Sequence, residues 1–201
     1  MDENIKKPSL RFKGFTDDWE QCELRDISSS YSGGTPNVSV GEFYGGDIPF
    51  IRSGEIHSSS TELFLTANGI ENSSAKMVDK GDVLYAMYGA TSGEVAISKI
   101  NGAINQAILA IKLNDNFSSY LLVQYLKREK NRIISKYLQG GQGNLSGDII
   151  KKIQVILPKR AIEQNQIGGL FEKIDNLITL HQRKYEILLN YKKALLQKMF
   201  I

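Results

Sequence analysis

The tail of this chain constrains it most. From Ile162 to Met199 the sequence reads as one long helix with a continuous apolar seam. Phe171, Ile178, Tyr185, Lys192 and Met199 share one heptad position; Ile167, Ile174, His181, Leu188 and Leu195 share the other. Most members are apolar, and spacings alternating between three and four residues keep one stripe facing a partner helix. At 1.5 Å per residue such a helix is roughly 55–60 Å long, too long to bury its stripe on a small neighbouring domain. It needs another long helix. Lys192 and His181 weaken that pairing but help to fix its register. The expected organisation is a globular head, residues 1–158, followed by a spacer and dimerisation helix, residues 159–201.

The 201 residues suffice for one domain of ordinary size plus this appendage. No apolar run approaches the ~20 residues needed to span a bilayer. MDENIKKPSL lacks the apolar stretch of a secretory signal, and the single cysteine, Cys22, cannot form an internal disulfide. These features lead us to expect a cytoplasmic chain, with Cys22 acting as a small hydrophobe. Charge is unevenly spread. Residues 1–158 carry 17 basic and 18 acidic side chains, a net of −1; residues 159–201 carry 8 and 4, a net of +4. Lys127, Arg128, Lys130, Arg132 and Lys136 crowd one stretch against Glu129 alone. Such a stripe suits a phosphate backbone, or simply a solvated helix face.

Within the head, Phe12, Phe15 and Trp19 are expected as core or edge anchors, with a strand entry between Trp19 and Ile27. SSSYSGGTPN is loop. IPFIRSGEI, with Pro49 near its start, reads as an edge strand or its first residues. The region from Gly69 to Met77 has the polar character of a helix start or loop. Val78 to Lys112 is the clearest β region, with a turn at Gly81-Asp82 and a hairpin signal at Asn101-Gly102. Its imperfect alternation suits strands buried on both faces, or curled into a barrel. Ser118 or Ser119 caps a helix from Tyr120 to about Leu138, which the loop QGGQGNLSG ends. Ser146 caps a short turn before the strand IQVILP, and Pro158 closes the head. The fold class is therefore α+β: a mixed head with many short strands, then one long helix that pairs as a coiled coil.

Much familiar chemistry is missing. His57 and His181 are far apart, and one Cys with two His makes an ordinary zinc site implausible. The sequence holds no G-x-x-x-x-G-K-[ST] loop, no Asp or Asn before Pro-Pro, and no G-x-S-x-G elbow. No catalytic residue, metal or cofactor is expected. Two glycine-rich segments remain, Gly33-Gly34-Thr35-Pro36 and Gly140-Gly141-Gln142-Gly143-Asn144. Glycines make turns, and they also let backbone approach a phosphate. Gln142 and Asn144 are suited to adenine, and Arg52 to guanine, in a major groove.

Taken in order, several blocks resemble one half of a specificity subunit of a type I restriction-modification enzyme. They are Leu10-Arg11-Phe12 through Trp19-Glu20 and Leu24 to Ile27; Gly34-Thr35-Pro36 with Tyr44 through Ile51; Gly81 through Leu84, Gly93 and Ile104 through Ala107; Gly143 through Ser146 leading to Val155 through Pro158; and Glu163 through Ile167 with Leu195 through Phe200. The resemblance implies a target-recognition domain that reads part of a split DNA site. It also implies a spacer helix that sets the gap and docks modification subunits. Family members usually carry two such domains and two such helices; this chain has one of each. Arg25 stands where glycine is commoner, and Gly168-Gly169 is unusual so early in the helix.

These readings combine into a sequence-specific, non-catalytic DNA-binding subunit. It acts on double-stranded DNA as a homodimer through its helices, and directs methyltransferase and restriction (translocase) subunits. Phosphate contacts are expected from Lys127, Arg128 and Lys130, and base reading from Arg52, Ser53, Tyr88, Thr91, Ser92, Gln142 and Asn144. Dimer contacts are expected from Ile167, Phe171, Ile174, Ile178, His181, Tyr185, Leu188, Leu195 and Met199. Two alternatives remain. One is a protein-only coiled-coil interaction module. The other is a magnesium-dependent nuclease using Asp79, Asp82 and Glu94.

Overall fold

A computed structural model describes residues 7–138 and 144–200. The strands are β1 (Glu20–Glu23), β2 (Ser28–Ser32), β3 (Tyr44–Ile51), β4 (Leu63–Leu65), β5 (Lys76–Val78), β6 (Val83–Ala86), β7 (Val95–Ile97), β8 (Gly102–Ile104), β9 (Ile108–Leu113) and β10 (Gln154–Leu157). The helices are α1 (Ala67–Glu71), α2 (Ser119–Leu138), α3 (Gly147–Lys151) and α4 (Ala161–Met199). The expected α+β character is present. Two four-stranded sheets, ordered β2-β9-β6-β7 and β4-β3-β8-β5, accompany a small β1-β10 ladder.

The apolar runs in the central strands follow from their place between layers. Val83, Tyr85, Leu109 and Ile111 pack with Leu122 and Leu126 of α2. The alternate residues Leu84, Ala86, Ile108 and Ala110 pack with Ile51, Val78 and Ile104 of the second sheet. Strands covered on both faces have no reason to alternate with polar residues. The second sheet's far face buries Phe50, Leu65 and Ala103, with Ile70 of α1 packed against them. The layers thus run α2, first sheet, second sheet, α1.

Three local expectations fail. SSSYSGGTPN is not loop throughout: its first five residues form β2, held as a strand by antiparallel pairing with β9. The strand containing Pro49 is interior, flanked by β4 and β8. It tolerates proline because β8 pairs only with Phe50 and Ile51, leaving the missing N–H outside that ladder. Asn101-Gly102 makes no hairpin. β7 and β8 lie in different sheets, and Gly102 is not among the positive-φ glycines that a tight hairpin of this type demands. Asn101 Oδ1 instead accepts from Lys80 N at 2.7 Å.

Capping follows the sequence. Ser118 Oγ accepts from Leu121 N, and Ser146 Oγ from Ile149 N. Gly81, at φ +104°, turns the chain into β6. Phe12 is exposed, while Phe15 and Trp19 are half-buried, so these aromatics edge the core and do not fill it. Cys22 is half-buried against the core, and burial pushes its thiol upward.

The root of α4 is welded to the head. Glu163 and Gln164 are almost wholly buried. Glu163 accepts a two-pronged contact from Arg11, at 2.7 and 2.8 Å, and a third bond from Trp19 Nε1 at 3.3 Å. Gln164 Oε1 accepts from Ser118 N, and its Nε2 donates to the Pro158 carbonyl. Gly168 lies so close to α2 that a Cβ there would sit 2.7 Å from Ser118 Oγ, whereas Gly169 faces open space. The glycine pair thus marks a close approach at its first member. From Phe171 to Met199 every residue is exposed except half-buried Asp175, which accepts from Tyr120 and Gln124 of α2.

Candidate nucleic-acid interface

Strand ends from both sheets converge around Asn105–Ala107. Asn105 N donates to the Ile51 carbonyl where β3 ends, and Met87 N donates to the Ala107 carbonyl just after β6. Leu145 N donates to the Met87 carbonyl, which draws Asn144 beside the root of the hairpin that β6 and β7 form. The loops after Ile51 and Met87 and the segment at Asn144 therefore emerge together. Three regions expected from sequence, Arg52–Ser53, Tyr88–Ser92 and Asn144, share one end of the head.

The hairpin tip leans on α2. Gly93 has φ +82°, and a Cβ there would meet Ile134 at 2.8 Å. Glu94 beside it accepts from Lys130 Nζ of α2 and contacts His57 Nε2 at 3.4 Å. Lys130 holds the Glu94 carboxyl below its ordinary range, against the opposing effect of burial. Lys99 donates to the His57 carbonyl at 2.7 Å. This junction ties the turn after Arg52, the hairpin and α2 into one surface. Ser92 Oγ donates to the Met87 carbonyl, Thr91 is half-buried, and Tyr88 packs on the core.

Arg52 is already engaged. Its Nε and Nη2 donate to Glu55 at 3.0 and 3.1 Å, and Nη2 also donates to Glu62 at 2.5 Å. These bonds raise its already high pKa. Glu55 also accepts from the backbone N–H of Arg52 and Glu62, so the pair staples the loop. Ser53, half-buried, opens the turn above it.

The basic stripe of α2 divides. Lys130 faces the hairpin, whereas exposed Lys127 and Arg128 line a groove between α2 and the root of α4. Arg128 bonds Glu129 and lies 5.0 Å from the Tyr125 ring centroid. Gln142 lies outside the described residues. The seam residues Phe171, Ile174, Ile178, His181, Tyr185, Leu188, Leu195 and Met199 are all exposed, and Ile167 is half-buried at the root.

The three carboxylates weighed for nuclease chemistry are already used structurally. Asp82 caps a turn by accepting from Asp79 N, both contact Lys112, and Glu94 pairs with Lys130 and His57. Among the described residues no group of three or more His, Cys, Asp or Glu is placed to hold a metal ion. No described helix is long and apolar enough to cross a membrane.

Residue-level reading of the sequence missed one polar pair at this end. Thr35 Oγ1 donates to Gln106 Oε1 at 2.5 Å, both residues exposed. It could be found only because two of the family-like blocks, Gly34-Thr35-Pro36 and Ile104 through Ala107, come together in space. Gly33 and Gly34 allow this: a Cβ on Gly33 would lie 1.9 Å from the Ile104 carbonyl oxygen.

Residues 16–190 match the type I restriction modification DNA specificity domain, and the chain belongs to that family. It is 29% identical over 196 residues to the type I restriction enzyme MjaIX specificity subunit of Methanocaldococcus jannaschii, covering 92% of this chain and 44% of that protein. It is 30% identical over 168 residues to the HindI specificity subunit of Haemophilus influenzae, covering 77% and 36%. The fold resembles the crystal structure of a type I restriction-modification S subunit from M. genitalium, with TM-score 0.68, 16% identity and coverage of 91% and 46%. It also resembles the HsdS subunit of Thermoanaerobacter tengcongensis, with TM-score 0.63, 17% identity and coverage of 89% and 42%. The chain thus spans less than half the length of these relatives. The family is one of specificity domains, in keeping with a chain that carries no catalysis of its own.

Proposed function

We propose that this chain is the DNA-reading part of a type I restriction-modification assembly. Its head reads one half-site of double-stranded DNA, and its arm pairs with a second copy, antiparallel, to hold two heads apart. The observation that carries this reading is an apolar arm, free of its own head beyond the root, attached to a head whose candidate reading loops emerge at one end. A twofold dimer of this kind reads an inverted repeat with a fixed gap.

In this account Tyr88, Thr91, Ser92, Gln142 and Asn144 face base edges, and Lys127, Arg128 and Lys130 neutralise phosphates. Arg52 stiffens the reading loop through Glu55 and Glu62, and Ser53 is presented beside it. The arm also carries a second apolar stripe, Leu177, Leu180, Ile187 and Tyr191, on its flank. That stripe suits helices of methyltransferase subunits, through which a restriction subunit is recruited.

A gel shift with duplexes carrying the inverted repeat tests the proposal. Binding should weaken steeply as salt rises, since phosphate neutralisation releases counterions. The double variant Gln142→Ala, Asn144→Ala should change target choice in the assembled complex. Salt-insensitive binding, or none with partner subunits present, removes the DNA reading in favour of a protein-only module.

A further inference from the structure

The turn between β8 and β9 stands where the strand ends converge, and its backbone is held from several directions. Asn105 N donates to the Ile51 carbonyl, and Met87 N to the Ala107 carbonyl. Within the turn Ile108 N donates to the Asn105 carbonyl, and Ala107 N to Asn105 Oδ1 at 3.2 Å. Asn105 is half-buried and Ala107 buried, whereas Gln106 between them is exposed. One polar side chain is therefore presented to solvent from a fixed root, amid the loops after Ile51 and Met87 and the segment at Asn144. A root held rigid beforehand lowers the ordering cost of meeting a ligand.

A second segment orients that side chain. Gly34 N donates to the Ile104 carbonyl, and the Pro36 carbonyl accepts from Tyr44 Oη at 2.7 Å. A Cβ on Gly34 would lie 1.9 Å from Ser74 Oγ, so glycine is what lets the chain pass this close. Thr35, between these anchors, donates its hydroxyl to Gln106 Oε1. The oxygen end of the carboxamide is thus turned toward Thr35, and the Nε2 end, with its N–H donors, is the one presented to a ligand. A carboxamide reads adenine with its oxygen and nitrogen together. One that meets the groove with donors suits guanine, whose edge offers acceptors at O6 and N7. Arg52, the residue expected to read guanine, is committed to Glu55 and Glu62.

We propose that Gln106 reads a guanine in the major groove through Nε2, and that Thr35 is the positioning residue that sets the direction of its carboxamide. This rests on the DNA-reading head proposed above and names a specificity residue within it. Both side chains are exposed, so substituting them changes the reading and spares the core. The two proposals fail separately.

The test compares the duplexes that wild type and variants bind from a random-sequence pool, using the full chain with its modification subunits. Wild type should select a motif containing a fixed G·C pair. In Gln106→Ala the preference for that guanine should fall about tenfold or more, the other positions staying as they were. Gln106→Glu keeps one oxygen for Thr35 and presents the other to the groove. The same position should then turn toward cytosine, whose N4 amine donates. A preference gained in this way cannot come from misfolding. Thr35→Val should relax the same position about two- to tenfold, the worth of one hydrogen bond, and Thr35→Ser should restore it. An unchanged motif in Gln106→Ala overturns the base contact, whether affinity is kept or falls evenly across sequences as for a phosphate contact. Relaxation at an adenine or a thymine, or a Thr35→Val motif identical to wild type, overturns the orientation by Thr35. If wild type selects no motif, the DNA reading fails and this proposal with it.

Discussion

At Glu94 one carboxylate joins three parts of the candidate reading surface, accepting from Lys130 of α2 and contacting His57 beside the Arg52 turn. Its pKa is depressed, first by the Lys130 bond. A group with a lowered folded pKa adds stability above its unfolded value and loses it as pH falls through the folded one. Wild type should therefore be more stable than Glu94→Gln at neutral pH. That gap should close as pH drops below about 4.5, the ordinary value for this carboxyl. Thermal melts of both proteins between neutral and acid pH check it, and a gap independent of pH contradicts it. At Gly33 the argument is steric. Alanine there drives a methyl into the Ile104 carbonyl. Gly33→Ala should destabilise the head by about 1–3 kcal/mol, the usual cost of overpacking, measurable by urea unfolding. Nothing local announced either role: GGT reads as a turn, and Glu94 as the end of one. Both roles come from partners tens of residues away, which spacing alone does not reveal.

At the scale of elements the long helix was the most legible part. A seam over five heptads, with Pro158 before it, leaves little alternative, and α4 runs from Ala161 to Met199, within one residue of the bounds the sequence suggests. The Ser118 and Ser146 caps were equally plain, since their chemistry is local. The β region was readable as buried strands but not as two sheets. Asn101-Gly102 carries a hairpin signal, yet the strands on either side pair away from each other, β7 with the β6 before it and β8 with β5. Burial on both faces erases the alternation that would have distinguished them. The weld between α4 and the head was quoted only as a family-like block. Its physical content is Arg11 and Trp19 on Glu163, and Gln164 bridging α2 and Pro158. Arg11→Ala leaves the Glu163 carboxylate buried with only Trp19 as donor, so it should lower the melting temperature. It should also speed hydrogen exchange in the first two turns of α4 more than in α2. Unchanged exchange there would mean that Gln164 alone holds the root.

At the scale of the whole molecule, the proposed role turns α4 into a measure of DNA. Seven residues inserted as one more heptad after His181 add about 10.5 Å of helix while keeping the seam in phase. With base pairs about 3.4 Å apart along the duplex, the gap between half-sites should widen by about three base pairs, the half-site sequence staying unchanged. Leu188→Asp with Leu195→Asp should dissociate the dimer by sedimentation, and weaken binding to the full inverted repeat far more than to a single half-site. Equal losses on both duplexes would show that the arm does not link the heads.

The most direct measurement is selection of bound duplexes from a random-sequence pool by the intact chain, with its modification subunits present, followed by sequencing. The account predicts one short motif recurring as an inverted repeat across a gap of constant length. Recovery of a solitary motif, of repeats at many gap lengths, or of no motif at all would contradict it.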